Sequence, residues 1–156
     1  MSDDIDVQSV EAEQNLIQIC SFYIGNALCG IDINSVQEIS KDMEITEVPL
    51  SPDYVYGIKN LRGGIVTVIE LCEKIGMERS EVDNDSRIII VNWKDEYIGL
   101  LVDKIANILL SDKNHLEELP SNVKGMQGKY FEGVINTESG LIALMSIDEV
   151  LSENEE

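Results

Sequence analysis

Few residues in this chain are equipped for chemistry. Its one histidine is His115, and its three cysteines are Cys20, Cys29 and Cys72. Cys72 with His115 would make a nucleophile and its base. Nothing in the spacing brings the two together, and a lone cysteine on the apolar side of a short helix is ordinarily a small core residue. The cysteines are odd in number and form no Cys-x-x-Cys, so neither a disulfide framework nor a zinc site is indicated. His115 closes the polar run Ser111-Asp112-Lys113-Asn114-His115, which reads as a solvated loop. Glu81, Asp83 and Asp85 lack the spacing and central glycine of a calcium loop. Gly57, Gly63 and Gly64 lack the Lys-Ser/Thr ending of a phosphate loop. The expectation is no catalytic set, no metal and no cofactor.

Arg62 stands apart. The chain holds three arginines, Arg62, Arg79 and Arg87, and Arg62 sits in Asn60-Leu61-Arg62-Gly63-Gly64 between apolar strands. Two readings fit. One is an exposed turn residue, the commoner fate of an arginine. The other is a guanidinium fixed on a binding surface, where flanking glycines let a partner backbone approach and where arginine is enriched. The residues alone do not choose between them.

The elements that must position these residues read as strands. In Ala27–Ile33 the residues Ala27, Cys29, Ile31 and Ile33 share one parity, the period of a half-buried strand. Further strands are expected at about 65–70, 87–93, 96–102, 104–110, 131–136 and 140–146. Ile24-Gly25-Asn26-Ala27 and Trp93-Lys94-Asp95-Glu96-Tyr97 read as hairpin turns. Short helices are expected at Glu70–Ile75, closed by Gly76, and at Ile147–Leu151, with a further turn at Ser51-Pro52. Many short strands at this spacing suggest barrels or sandwiches.

The chain of 156 residues is the size of one ordinary domain or two very small ones. It carries 30 acidic and 11 basic side chains, a net charge of -19. Such a surface repels nucleic acid and anionic lipid, so neither is an expected partner. No apolar run reaches the roughly 18 residues of a membrane span. The opening Met1-Ser2-Asp3-Asp4 does not read as a signal peptide, so a cytoplasmic protein without membrane insertion is expected. Residues 1–13 and 152–156 are acidic without a base and read as solvated tails around a folded part at 14–151.

An internal repeat organises the middle. Gly30-Ile31-Asp32-Ile33-Asn34-Ser35-Val36-Gln37-Glu38-Ile39 matches Gly99-Leu100-Leu101-Val102-Asp103-Lys104-Ile105-Ala106-Asn107-Ile108 in its glycine and apolar positions. The run from Gly57 to Val68 matches that from Gly133 to Leu144, with Gly, Asn and Gly aligned and Arg62 falling on Glu138. Two blocks in the same order point to a duplicated unit. Each unit of about 70 residues is small for a core of its own. The two are therefore expected to pack on each other, meeting near 80–90 in the sequence, with a pseudo-twofold relation and a groove between them.

The run from Gly57 to Leu71, with Val48-Pro49 and Pro52-Asp53-Tyr54-Val55 upstream, resembles the signature of the CheW family. Gly99-Leu100-Leu101-Val102-Asp103, Phe131-Glu132-Gly133-Val134 and Leu141-Ile142-Ala143-Leu144 are similar to its second-half motifs, so the resemblance spans about residues 15–151. It implies an all-β fold of two SH3-like five-stranded barrels that share a hydrophobic core, with short helices. It implies a non-enzymatic adaptor, monomeric alone, recruited to receptor arrays at the inner face of the membrane. There it would couple methyl-accepting chemotaxis receptors to the histidine kinase CheA, binding the kinase's regulatory domain and, in the groove between barrels, the receptor tip. Val36, Glu38 and Ile39 resemble positions at the edge of that groove, Gly57, Arg62 and Gly63 the turn that borders it, and Gly99 the matching glycine of the second barrel. An amphipathic helix in such a groove needs an apolar floor and a few polar anchors. Val36, Ile39 and Ile65 would supply the floor, and Glu38 and Arg62 would pair. An adaptor of a non-motility chemosensory pathway is the alternative, and a small enzyme using Cys72 a remoter one.

Overall fold

The computed structural model describes residues 15–78, 81–119, 122–123 and 126–152. The acidic tails expected at 1–13 and 152–156 lie outside these residues, apart from Ser152. Along the chain run β1 (Leu16–Ile24), β2 (Ala27–Asp32), β3 (Val36–Ser40), β4 (Val55–Leu61), β5 (Gly64–Glu70), α1 (Leu71–Lys74), β6 (Arg87–Trp93), β7 (Glu96–Val102), β8 (Lys104–Asp112), β9 (Asn122–Val123), β10 (Met126–Gln127), β11 (Phe131–Thr137), β12 (Gly140–Met145) and α2 (Ile147–Leu151). The expected strands, hairpins and helices are present. β1, β3, β4 and the two-residue β9 and β10 went unread in the sequence, the first three because none alternates cleanly. β1 buries both faces from Ile19 to Phe22, β3 is broken by a bulge between Val36 and Glu38, and β4 carries Gly57 and Lys59 on its inner parity.

The architecture is all-β, as expected: two five-stranded SH3-like barrels. One sheet has the order β11-β12-β2-β1-β8, the other β3-β6-β7-β5-β4. Under the repeat, β4 and β5 correspond to β11 and β12, β6 and β7 to β1 and β2, and β3 to β8. The sheets are thus copies of each other in topology, yet each is built from both halves of the sequence. The chain exchanges strands between them. Each sheet contains one parallel pair where the halves meet, Val68 beside Gly99 in one and Leu144 beside Gly30 in the other.

Burial follows from this exchange. Each barrel has an inner cluster of its own. Ile17, Ile19, Ile135, Ile142 and Leu144 fill one, and Val66, Val68, Ile88, Ile90 and Leu101 the other. The alternate residues of the same strands enter a third, larger cluster between the barrels that includes Cys20, Phe22, Ile89, Val91, Leu100 and Met145. The run Ile88-Ile89-Ile90-Val91 is wholly buried because its two faces serve two cores. Both helices cover the seam, with Leu71 and Cys72 of α1 and Val150 and Leu151 of α2 in the shared cluster. The α2 helix is also held by Trp93 Nε1, which donates to Asp148 Oδ1 at 2.8 Å. All three cysteines lie buried in the shared core, where burial pushes the Cys20 thiol pKa up.

Two glycine pairs answer the crowding. A Cβ at Gly99 would come within 2.8 Å of Ile88 Cγ2, and one at its counterpart Gly30 within 2.4 Å of Ile19 Cγ2. Gly57 and Gly133, both at φ 156°, let a crossing chain pass: a Cβ would lie 2.5 Å from the Thr46 carbonyl oxygen or 2.4 Å from that of Glu117. The order of cost follows from what must yield. Gly99→Ala presses a methyl into side chains that can repack, and is expected to destabilise by about 1–3 kcal/mol. Gly57→Ala presses on backbone in a conformation that disfavours a side chain, and is expected to cost more. Gly63→Ala meets open space and carries only the strain of a left-handed φ, about 1 kcal/mol. Denaturant unfolding of the three variants tests the ranking.

Candidate functional site

The sheet that holds β3 and β4 at its two edges must close on itself to become a barrel, and the candidate site is built at that closure. Beyond β3 the chain crosses to β4, where Thr46 and Ile58 exchange backbone N–H···O bonds of 2.8 Å in both directions. Next along β4, Lys59 is buried and its Nζ lies 3.6 Å from the exposed Asp42 carboxylate. At the end of β4, Arg62 Nη2 reaches Glu38 Oε1 of β3 at 2.6 Å. The three contacts join the opposite edges. The expected Glu38–Arg62 pair is thus present, and it spans the whole width of the sheet order.

Local chemistry explains why Arg62 can reach. Leu61 pairs with Gly64, leaving Arg62 (φ 53°) and Gly63 (φ 85°) as a two-residue turn with both central residues left-handed. That is the primed turn whose twist suits a hairpin. Asn60 Oδ1 accepts from Gly63 N–H at 3.1 Å and locks it. Gly63 adopts this φ freely, whereas Arg62 gives up about 1 kcal/mol to do so. The guanidinium then lies along the hairpin tip, 72% exposed but pinned at one nitrogen, while Glu38 is 27% exposed. The rest of the fork remains open to a partner carboxylate or carbonyl.

The other site residues fall into two groups. Ile39, next to Glu38 along β3, and Ile65, just past the Arg62-Gly63 turn in β5, are 37% and 67% exposed. Ile65 also lines a cavity with Asp42, Thr46, Lys59 and Asn60. Val36 is half-buried and packs down onto the shared core. Gly57 and Gly99 are buried and present no open face, so their substitution acts on a partner only through the fold. Cys72 and His115 do not meet: Cys72 is in the shared core and His115 is on an exposed 3-10 turn at Lys113–His115. Asp83 is spent on its own turn, accepting from Asp85 N–H at 2.8 Å. Among the described residues no group of His, Cys, Asp and Glu is placed to hold a metal ion.

Sequence reasoning missed the Lys59–Asp42 contact. The available signal was position: Lys59 aligns with the buried Ile135 in the repeat, so its side chain must enter the barrel wall. It also missed the matching surface on the other barrel, where Ile108 and Leu141, the counterparts of Ile39 and Ile65, are 56% and 62% exposed. There Asn107 and Glu138 replace Glu38 and Arg62, so the apolar pair is retained without the ion pair.

The fold is thus two barrels on a shared core, one of them closed by an ion pair at a hairpin tip. Residues 18–155 match the family model described as the CheW-like domain, and the chain belongs to that family. It is 32% identical to the chemotaxis protein CheW of Thermotoga maritima over 87% of this chain and 88% of that one. The likeness to the CheW of Treponema pallidum is 28% over 88% and 84%. Protein PilI of Pseudomonas aeruginosa is 28% identical over 60% of this chain and 54% of its own. Among solved structures, the scaffolding protein TtCheW of Thermoanaerobacter tengcongensis superposes with a TM-score of 0.81 at 33% identity, covering 90% of each chain.

Two tests follow from the closure. A double-mutant cycle with Glu38→Ala and Arg62→Ala is expected to show a stability coupling of about 0–1 kcal/mol, because the arginine is largely exposed. High salt should shrink it. The Glu44 backbone N–H and then Lys59 hold the Asp42 carboxyl below the usual carboxylate range. A lowered folded-state pKa means stability that is present above a pH of about 4 and is lost as pH falls through the folded value. Asp42→Asn is therefore expected to melt lower than the wild type at neutral pH, the gap narrowing toward pH 3. A gap that persists unchanged in acid would contradict the assignment.

Proposed function

We propose that this chain is a coupling scaffold of bacterial chemotaxis, joining methyl-accepting receptors to the histidine kinase CheA without chemistry of its own. The observation that carries the reading is the Glu38–Arg62 pair at 2.6 Å, with exposed Ile39 and Ile65 in the strands it joins and follows, in a chain of the CheW-like family. A fixed guanidinium with donors to spare, on strands that also expose isoleucine, has the composition of a hot-spot surface. Val36, Glu38 and Ile39 would border the receptor groove, with the Arg62-Gly63 turn beside it. The regulatory domain of CheA would take another face. Among the described residues no helix is long and apolar enough to cross a membrane, and the receptors would bring the chain to the inner face of the membrane from the cytoplasm. Likeness to Protein PilI, a relative that does not carry the chemotaxis name, favours as a second reading the same adaptor role in a non-motility chemosensory pathway.

The test is a titration into the regulatory domain of CheA from the same cell, followed by a fragment of the receptor hairpin. Micromolar binding to each, with a ternary complex, is the expected result; a well-folded protein that binds neither would overturn the proposal. Arg62→Ala is expected to leave the fold within about 1 kcal/mol of wild type while weakening assembly roughly tenfold. Unchanged kinase activation by this variant would remove Arg62 from the interface.

A further inference from the structure

The segment joining β3 to β4, residues 41–54, is braced along its length. Asp42 meets Lys59, Thr46 bridges Ile58, Ser51 Oγ donates to the Val48 carbonyl at 2.9 Å, Val55 N–H to that of Pro52 at 3.0 Å, and Glu70 N–H to that of Tyr54 at 2.8 Å. At its apex is Leu50, with a relative exposure of 104% and a φ of 63°. A leucine gains nothing from that backbone conformation, and here no packing compensates the strain. Glycine or asparagine would fit without it. Strain retained at an exposed apolar side chain points outward, to something the side chain meets.

Beside Leu50 lies a cavity of about 700 Å³, with Met43, Ile45, Val48, Pro52 and Tyr56 in its wall. Glu47 and Asp53 line it too. Ile45 also lines the cavity at Ile65, so the two surfaces are neighbours that share this one wall residue. Leu50 belongs only to the first. A pre-braced loop loses little freedom when it binds, which suits it to present one apolar side chain.

We propose that residues 43–56 form a docking site for a protein segment in which a lysine or arginine flanks a large apolar side chain. Leu50 packs against the apolar side chain, and the cation faces Glu47. The charge of the lining selects a basic segment over an acidic one. The experiment uses the full chain and two short capped peptides, one of leucine and lysine, the other with serine for leucine at equal charge. Wild type is expected to bind the leucine peptide more tightly. Leu50→Asn, which tolerates the left-handed backbone, is expected to keep or raise the melting temperature and to weaken that binding about tenfold. Binding of the serine peptide should be indifferent to position 50. Val82→Asn, at another exposed apolar residue, should bind like wild type, and Leu50→Gly supplies a second variant that relieves the strain. Equal binding of both peptides by wild type, or leucine-peptide binding that survives both Leu50 substitutions, overturns the proposal.

Discussion

Everything in this molecule depends on central strands that are buried on both faces. A barrel of five strands has one interior, and its outer wall ordinarily meets water. Here the outer wall of each barrel meets the other, so Ile89 and Val91 serve the shared core while Ile88 and Ile90 serve their own. A repeat of about 70 residues has only a marginal core of its own. Exchange of strands solves the shortage, because each sheet then requires both halves of the chain. The two halves are covalently interleaved as well as packed, and separation of the barrels would break backbone ladders as well as side-chain contacts.

That constraint fixes the glycines before any partner is considered. Strands buried on both sides and curled tightly leave no volume at Gly30 and Gly99, and the crossing segments leave none at Gly57 and Gly133. It also leaves the barrels to close by other means at their outer edges. On one barrel the closure is backbone at Thr46–Ile58 followed by two ion pairs. On the other it is backbone at Glu117–Val134 with a longer Lys113–Glu132 contact of 3.8 Å. Glu38 and Arg62 are therefore both a closure of the barrel and polar groups open to a partner. A group that is already held in one orientation loses less entropy when a partner arrives.

Much of the fold was legible because turn chemistry and the repeat survive in single residues. Gly25-Asn26, Lys94-Asp95 and Arg62-Gly63 sit where hairpins turn, and the aligned Gly57 and Gly133 mark equivalent crossings. The longer unread strands were those where alternation fails for a physical reason: burial on two faces in β1, a bulge in β3, and a buried cation in β4; β9 and β10, of two residues each, are too short to show a period. The strand exchange was not legible at all. A repeat shows that two segments are alike and says nothing about which copy of each strand pairs with which. For the site, opposite charges in the two aligned blocks were enough to pair Glu38 with Arg62. The loop at Leu50 gave no signal, since neither its φ nor its exposure follows from residue type.

The duplication also explains how one fold can face different partners. Ile39 and Ile65 have exposed counterparts in Ile108 and Leu141, so the apolar part of the two surfaces is nearly the same. What differs is polar: Glu38 and Arg62 on one barrel, Asn107 and Glu138 on the other, with Lys59 against Ile135 beneath. Apolar area gives affinity with little selectivity, whereas an unmatched charge at a desolvated surface penalises the wrong partner. A ligand that offers a carboxylate to Arg62 meets Glu138 at the equivalent place on the second barrel and is repelled there. The asymmetry needed by a molecule that must hold unlike partners at like surfaces thus requires only a few charge substitutions on a symmetric frame. The frame tolerates them because the hairpin tips lie outside all three cores.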